Sequence, residues 1–259
     1  MAAEQLMECL GPDESQPVIA ERTGAGSPFL FVCDHAGRDI PARLGTLGLS
    51  DADLGRHIAW DIGAGAVTRR LAAAFEAPAV LQRYSRLVID CNRDPQTPGA
   101  IPETSDGVTI PGNQSLSEAD RRARIGAIHT PYHAAIAAAL DARLARGAPT
   151  ILVFIHSFTP RMDGIDRPWR FGVIREPNSR FSRMALEGLQ AAGRSGGFEV
   201  GDNLPYAMDG VDYSVPVHAL ARGLDYLELE MRQDTVADEA GQAETAGIVA
   251  EVLRGAVGS

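Results

Sequence analysis

Residues 150–157 read TILVFIHS, six apolar or β-branched residues followed by a histidine and a serine. An uninterrupted apolar run of this length is typical of a strand that is buried on both faces. The run PFLFVC at residues 28–33 has the same character and is followed by Asp34 and His35. The two runs predict neighbouring strands of a covered sheet, each with a histidine at its end.

Strands and helices alternate in the rest of the chain. Further strands are predicted at residues 79–81, 87–89 and 171–174, and in a segment that ends at 227–230. One helix is expected over 50–75, with Ser50 as its N-cap and Asp53 at the third helical position. Residues 94–114 are rich in Pro, Gly, Thr and Ser, and form a long loop that is expected to be functional.

Three more helices follow this loop. The first is expected to start from a capping box formed by Ser115 and Glu118 and to extend to about Arg146, with Pro131 kinking or splitting it. The others are predicted over residues 179–192 and 239–257. Strands that alternate with helices of this length indicate an α/β fold, a single three-layer α/β/α domain with a mostly parallel mixed central sheet. We expect this domain to span residues 27–259, after a flexible segment at 1–26.

Composition excludes several classes of function. The net charge is −10, and all 24 basic residues are arginine. Nucleic acid is therefore not an expected partner, and a catalytic or phosphate-binding lysine is impossible. The three cysteines form no CxxC pair, and the chain shows neither a signal-peptide pattern nor an apolar run long enough to cross a membrane. We expect a cytoplasmic protein whose partner is a small molecule; its oligomeric state is not predicted.

A metal site is the first functional hypothesis. His35 and His156 follow apolar strands directly, where the sheet would hold them rigidly. A hydrolytic zinc site needs about three protein ligands and an open position. Asp61 is the favoured third ligand, since it completes a His-His-carboxylate set. His57, one helical turn before it, and Asp39 are the competitors.

Other polar residues indicate substrate binding and proton transfer. Asn92 and Arg93 suit a substrate carboxylate, because a guanidinium binds carboxylate in a two-pronged geometry. Arg86 is a second candidate cation, although either arginine could simply pair with Asp90. Glu230 is the preferred general base, as the glutamate nearest the strand end.

The alternation of acidic and apolar residues around Glu230 also has a simpler interpretation. Glu228 and Glu230 could both face solvent from an edge strand.

Several segments, taken together, resemble the N-formylglutamate amidohydrolase family. They are CDHAG at 33–37, WDIGA at 60–64, YSRLVIDCNR at 84–93, IHSFTP at 155–160, GDN at 201–203 with Pro205 and Tyr206, His218, and EMRQD at 230–234. Each motif is short, but their order and spacing are specific, and they cover the chain from about residue 27 to its end.

The resemblance implies a phosphorylase/hydrolase-like fold, remotely related to zinc carboxypeptidases and aspartoacylases. It implies a divalent metal, with zinc as the expected ion, held by His35 and His156, a substrate carboxylate bound by Asn92 and Arg93, and a base at Glu230. In those relatives a glutamate three residues after the first histidine is also a ligand. Here that position is Arg38, so Asp61 is expected to replace the missing carboxylate.

The expected reaction is hydrolysis of the N-formyl or N-acyl amide bond of an amino acid such as N-formylglutamate. Arg86 would stabilise the oxyanion, and Asn203, Tyr206, Tyr213 and His218 would shape the substrate pocket. Other N-acyl amino acids or short peptides are alternative substrates, and a non-catalytic binding protein of the same fold is the alternative class. A serine hydrolase is disfavoured, because no Gly-x-Ser-x-Gly motif is present.

Overall fold

The computed structural model describes residues 9–22, 26–162, 164–208 and 210–258. Its strands, in chain order, are β1 (Val18–Glu21), β2 (Phe29–Cys33), β3 (Ala79–Gln82), β4 (Thr104–Ser105), β5 (Val108–Thr109), β6 (Ile151–Phe158), β7 (Arg161–Met162), β8 (Ile165–Asp166), β9 (Phe171–Ile174), β10 (Val200–Asp202) and β11 (Asp225–Arg232). The short strands β4 and β5 form one hairpin, and β7 and β8 form another.

The central sheet has seven strands in the order β1-β3-β2-β6-β11-β9-β10. Neighbouring strands from β3 to β11 run parallel, as do β9 and β10, whereas the β1–β3 and β11–β9 pairs are antiparallel. The predicted mixed, mostly parallel sheet is therefore confirmed. It places the carboxyl ends of β2, β6 and β11 side by side.

The helices lie on both faces of this sheet. They are α1 (Asp51–Leu54), α2 (Ala64–Ala74), α3 (Glu118–Arg124), α4 (Thr130–Leu144), α5 (Arg180–Gly196) and α6 (Glu239–Val257), with π-helical segments at Ile125–His129 and Val215–Ala219. Helices α2, α5 and α6 pack on one face, while α4 packs on the other. None of these described helices is long and apolar enough to cross a membrane.

Strand alternation divides the core into two layers. In β2, the side chains of Phe29 and Phe31 pack toward α2, α5 and α6, while Leu30 and Val32 pack toward α4. All five β2 residues are buried, as the uninterrupted apolar run predicted. The three-layer α/β/α architecture is confirmed, and both faces of the central strands are closed to water.

The helix predicted over residues 50–75 is two helices. Ser50 caps α1 through the backbone N–H of Asp53, as predicted, but α1 ends at Leu54 and α2 starts only after Gly63. Gly63 has a φ of 79°, a left-handed conformation that favours glycine and breaks the helix. Residues 55–63 form turns instead, so His57 and Asp61 do not share a helical face.

Residues 87–89 are buried as expected, but they do not form a strand. Their carbonyl groups bond to side chains: Leu87 accepts from Asn113 Nδ2 at 2.9 Å, and Val88 accepts from Arg124 Nη1 at 3.0 Å. These side chains satisfy polar backbone groups that would otherwise need a neighbouring strand. The apolar run is thus a buried turn, and Asp90 is not at a strand end.

The capping box predicted at Ser115 is wrong by two residues. Ser117 caps α3 by accepting the N–H of Asp120, while Ser115 has a φ of 54° and lies outside the helix. Pro131 is the second residue of α4, which directly follows the π-helical segment Ile125–His129. The split that Pro131 was predicted to cause in the helix therefore lies at this π-helical segment. Strand β6 extends beyond Ile155 and includes His156 and Ser157.

Part of the N-terminal segment predicted to be flexible belongs to the sheet. Strand β1 pairs with β3 over residues 18–21, and Cys9 is buried against the core layer that contains α4. Residues 1–8 and 23–25 of that segment lie outside the described residues. The sequence did not predict strand β1, because the strand has only four residues and none of them is fully buried.

The turn after His35 depends on a close approach of two backbones. A Cβ atom on Gly37 would collide with the carbonyl oxygen of Arg83. We expect Gly37→Ala to lower the free energy of unfolding by about 2 kcal/mol, since backbone atoms cannot yield as a flexible side chain can. Gly247→Ala, in α6 with open space around it, should instead raise stability by up to about 1 kcal/mol. Urea denaturation of both variants tests this, and equal stabilities would contradict it.

Candidate metal centre

The candidate site forms at the carboxyl edge of the sheet, where the sequence predicted it. His35 lies two residues beyond the end of β2, His156 lies within β6, and Glu228 and Glu230 lie within β11. Glu230 pairs in register with His156. Asp61 joins them from the turn that precedes α2. Three neighbouring strands and one turn therefore supply the polar groups.

Asp61 lies between the two histidines. Its Oδ2 atom is 3.3 Å from Nδ1 of His35 and 3.0 Å from Nδ1 of His156. One ligand atom from each of the three residues lies within 4.8 Å of the others, and all three residues are buried. This group is the set predicted from the sequence, and it has the donor types of a His-His-carboxylate metal site.

Each histidine presents its other ring nitrogen to a second carboxylate. His35 Nε2 is 2.7 Å from Oδ1 of Asp90, and His156 Nε2 is 3.4 Å from Oδ2 of Asp34. Carboxylates in this position fix the orientation and tautomer of metal-binding histidines. Both rings therefore have Nδ1 directed toward Asp61. Nε2 of His35 is hydrogen-bonded to Asp90, whereas Nε2 of His156 lies near Asp34 without forming a hydrogen bond.

Arg86 balances part of this negative charge. Its guanidinium donates to Asp90 Oδ2 at 2.8 Å and to Asp61 Oδ1 at 3.3 Å. Burial alone would raise the pKa of Asp90, but Arg86 and His35 outweigh it and hold that pKa well below its usual value. Burial and Arg86 oppose protonation of His35, yet Asp90 and Asp61 keep its pKa above the ordinary value.

The two competitors for the third ligand position are less well placed. His57 is partly buried, but its Nδ1 lies 3.6 Å from the outer oxygen of Asp61, and burial lowers its pKa to about 4. The Asp39 side chain is 58% exposed and faces Arg83. Arg38, which replaces the glutamate of the resembled motif, stacks over Trp60 with its guanidinium 5.4 Å from the ring centre.

A cavity of about 620 Å³ opens in front of these groups. The lining residues that bear on the chemistry are His35, Asp61, Arg86, His156, Glu228 and Glu230. Tyr206, predicted to shape the pocket, also lines it, and its hydroxyl accepts a hydrogen bond from Arg167 at 3.0 Å. The cavity is large enough for a modified amino acid.

The two glutamates are buried, not solvent-facing. Strand β11 lies between β6 and β9, and alternation places Glu228 and Glu230 on the face that carries Tyr226. One carboxyl oxygen of each is buried without a hydrogen-bond partner. Burial raises the pKa of Glu230 to about 8, and it also raises that of Glu228. The edge-strand interpretation is therefore wrong.

Asn92 and Arg93 line the cavity and already bind a carboxylate, which belongs to Asp212. Asn92 Nδ2 and Arg93 Nη1 each donate to Asp212 Oδ1 at 3.0 Å. Asn92 Oδ1 accepts the backbone N–H groups of Tyr213 and Ser214 at 3.0 and 2.9 Å. The predicted carboxylate-binding geometry is present, with an internal side chain as its ligand.

Three predicted pocket residues do not line the cavity among the residues that the structure describes. Asn203 instead exchanges hydrogen bonds with the backbone of Arg175. Tyr213 packs edge-on against His133, with ring centres 4.9 Å apart, and His218 is hydrogen-bonded to His133 at 2.8 Å. Asn203 therefore holds a loop, and the other two belong to a buried histidine cluster.

Sequence reasoning missed the roles of Asp34, Asp90 and Asp212. The first two lie within the motifs at 33–37 and 84–93, and an ion pair between Asp90 and an arginine was already considered. Their contacts with the histidine rings depend on the fold. Asp212 had no signal, because it is 119 positions from Arg93 in the chain.

The fold and the site together define an α/β amide hydrolase. The family model described as N-formylglutamate amidohydrolase matches residues 27–237, and the chain belongs to this family of hydrolases acting on a linear amide bond. The match includes His35, Asp61, His156 and Glu230. No match is found among proteins with curated descriptions.

Two solved structures share this fold. The gene product Atu2144 of Agrobacterium tumefaciens is 39% identical, with a TM-score of 0.92 over 97% of this chain and 98% of that one. The N-formylglutamate amidohydrolase of Ralstonia eutropha JMP134 is 19% identical, with a TM-score of 0.70 over 94% and 98% of the two chains. The first is similar along nearly its whole length, and the second shows the shared fold.

The buried histidine cluster predicts a pH-dependent stability. His133 Nε2 donates to the Cys91 carbonyl, so its Nδ1 accepts from His218, and both rings are neutral. Burial lowers the pKa of His133 to about 3 and that of His218 to about 4. A neutral histidine in the fold becomes protonated on unfolding below about pH 6.5, so its contribution to stability is lost as pH falls from there.

We therefore expect His218→Gln to reduce the loss of stability between pH 7.5 and pH 5.0 by about 2 kcal/mol relative to the unmodified chain. Guanidinium denaturation at both pH values measures the difference. An unchanged pH dependence would show that His218 is charged or water-accessible in the folded protein.

Proposed function

We propose that this amide hydrolase is a metal-dependent enzyme that removes the N-formyl or N-acyl group from an amino acid. The observation that carries the proposal is the buried group of His35, Asp61 and His156 beside Glu230. Three converging donor groups and an adjacent buried carboxyl meet the requirements of metal-assisted amide hydrolysis.

The donor set fits a divalent cation, and zinc is the ion we expect. Two imidazoles and one carboxylate are a common ligand set of catalytic zinc. The hydrogen bond between Asp90 and Nε2 of His35 orients that ring so that its Nδ1 atom faces the cation. A cation bound by these residues would supply Lewis-acid activation of water and of the acyl carbonyl.

Glu230 is the proposed proton carrier. Its buried, unpartnered oxygen lines the cavity in register with His156. The raised pKa of about 8 makes this carboxylate a stronger base than an exposed glutamate. Glu230 would accept a proton from the attacking water and return it to the leaving amine nitrogen as the C–N bond breaks.

The cavity also supplies cations for an acidic substrate. Arg86 lies beside Asp61, where it would stabilise developing negative charge on the carbonyl oxygen, and Arg93, which lines the cavity, would bind a substrate carboxylate. N-formylglutamate, the substrate in the family's name, has two carboxylates and fits this environment. The same chemistry would accommodate related N-acyl amino acids.

We further propose a cytoplasmic location. Cys9, Cys33 and Cys91 are all free and buried, as is common in reducing compartments.

The metal assignment predicts a specific pattern of loss. The purified chain should contain about one zinc ion by elemental analysis, and His35→Ala and His156→Ala should each lose it. His57→Ala is the matched control, because it removes a partly buried histidine beside Asp61 and should keep the metal. The metal-loaded chain should release formate from N-formylglutamate, and a chelator should abolish this release.

Retention of zinc in both His35→Ala and His156→Ala would contradict the assignment. Chelator-resistant formate release would contradict metal dependence while leaving the amide hydrolase itself intact.

The base assignment predicts a separate kinetic effect. Glu230→Gln should lower kcat by about 100- to 10 000-fold, because the neutral amide cannot accept a proton, while the zinc content stays the same. Glu244→Gln is the control, since that side chain in α6 is exposed and does not line the cavity. A Glu230→Gln enzyme with kcat within a few-fold of the unmodified chain would assign the base to another residue.

A further inference from the structure

The cavity contains a carboxylate subsite that the chain fills with its own side chain. Asp212 is only 15% exposed, and its Oδ1 atom receives hydrogen bonds from Asn92 and Arg93 at 3.0 Å each. Asp212 also lines the cavity. An amide and a guanidinium converging on one carboxylate oxygen is an arrangement suited to a charged ligand.

The backbone of this segment is held independently of the Asp212 side chain. The amide N–H groups of Tyr213 and Ser214 donate to Asn92 Oδ1, and Ser214 Oγ donates to Asp34 at 2.9 Å. On the other side, Val211 is 50% exposed, so the chain next to Asp212 is open to water. Rotation of the Asp212 side chain would therefore leave the anchored backbone in place.

We propose that Asp212 is an internal competitor that occupies the carboxylate subsite until a substrate carboxylate displaces it. The inference rests on the proposed function, because it concerns the same cavity. Exchange of one carboxylate for another preserves both the charge pair and the hydrogen bonds. An uncharged group cannot make this exchange, because it would leave Arg93 in the cavity without its counter-charge.

Asp212 thus acts as a competitor. It weakens the binding of every carboxylate ligand, since each must compete with an internal carboxylate at high effective concentration. The selectivity of the subsite comes from Arg93, whose charge a neutral ligand cannot balance. Substrates with a free carboxylate next to the acylated nitrogen are the class that this subsite selects.

The test compares Asp212→Asn with the unmodified chain, both metal-loaded. The probe is N-acetyl-L-glutamate, titrated calorimetrically at pH 7.5, with its α-carboxamide as the neutral counterpart. Loss of the competing charge should tighten N-acetyl-L-glutamate binding about fivefold or more and leave binding of the carboxamide within twofold. Asp94→Asn removes a charge of the same kind from the exposed residue next to Arg93, and it should change neither affinity.

Weaker or unchanged binding of N-acetyl-L-glutamate to Asp212→Asn would overturn the inference, since it would mean that Asp212 only orients Arg93. Equal tightening for the acid and the carboxamide would mean that Asp212 blocks the subsite for any ligand, and it would overturn the exchange of one carboxylate for another. Absence of measurable N-acetyl-L-glutamate binding to either protein would also overturn the inference.

Formate release from N-formylglutamate separates the two proposals. Tighter binding in the variant together with no turnover in either protein would support the subsite and refute the hydrolytic substrate. Turnover by the unmodified chain with no change of KM in Asp212→Asn would support the hydrolytic substrate and refute the role of Asp212 in the subsite.

Discussion

The carboxylate of Asp61, buried between two imidazoles, is the interaction on which the rest of the site depends. Its Oδ2 atom faces Nδ1 of both His35 and His156, while its Oδ1 atom receives Arg86. A buried carboxylate is costly without partners, and here the histidines outweigh burial and hold the pKa of Asp61 well below normal. Because the partners come from β2, β6 and the 84–93 turn, this charge cluster can form only in the complete fold.

The sheet supplies the rigidity that such a cluster needs. Both faces of β2 and β6 are packed, so the backbone that carries the histidines has little freedom to move. Asp90 then holds the His35 ring by a hydrogen bond, Asp34 lies 3.4 Å from the His156 ring, and the unpaired oxygens of Glu228 and Glu230 face the same space. Apolar packing therefore positions imidazole and carboxyl groups of the types that bind a cation.

The sequence was sufficient for the architecture and for the central residues. Uninterrupted apolar runs identified β2 and β6, and the polar residues after them identified His35 and His156, because parallel strands bring their ends together. It was insufficient where tertiary contacts replace local hydrogen bonds. Leu87 and Val88 look like a strand but bond to Asn113 and Arg124. His218 and Asn203 matched family motifs, yet their side chains hold the scaffold, and the pairing of Asp212 with Arg93 has no local signature.

An anomalous difference map from a zinc-loaded crystal, collected at the zinc edge, tests the central claim most directly. The account predicts one strong peak, about 2.0 to 2.2 Å from Nδ1 of His35, Nδ1 of His156 and a carboxylate oxygen of Asp61. A peak at the Nε2 atoms, at the Glu228–Glu230 pair or elsewhere on the chain would contradict it. So would the absence of any peak in crystals soaked in excess zinc.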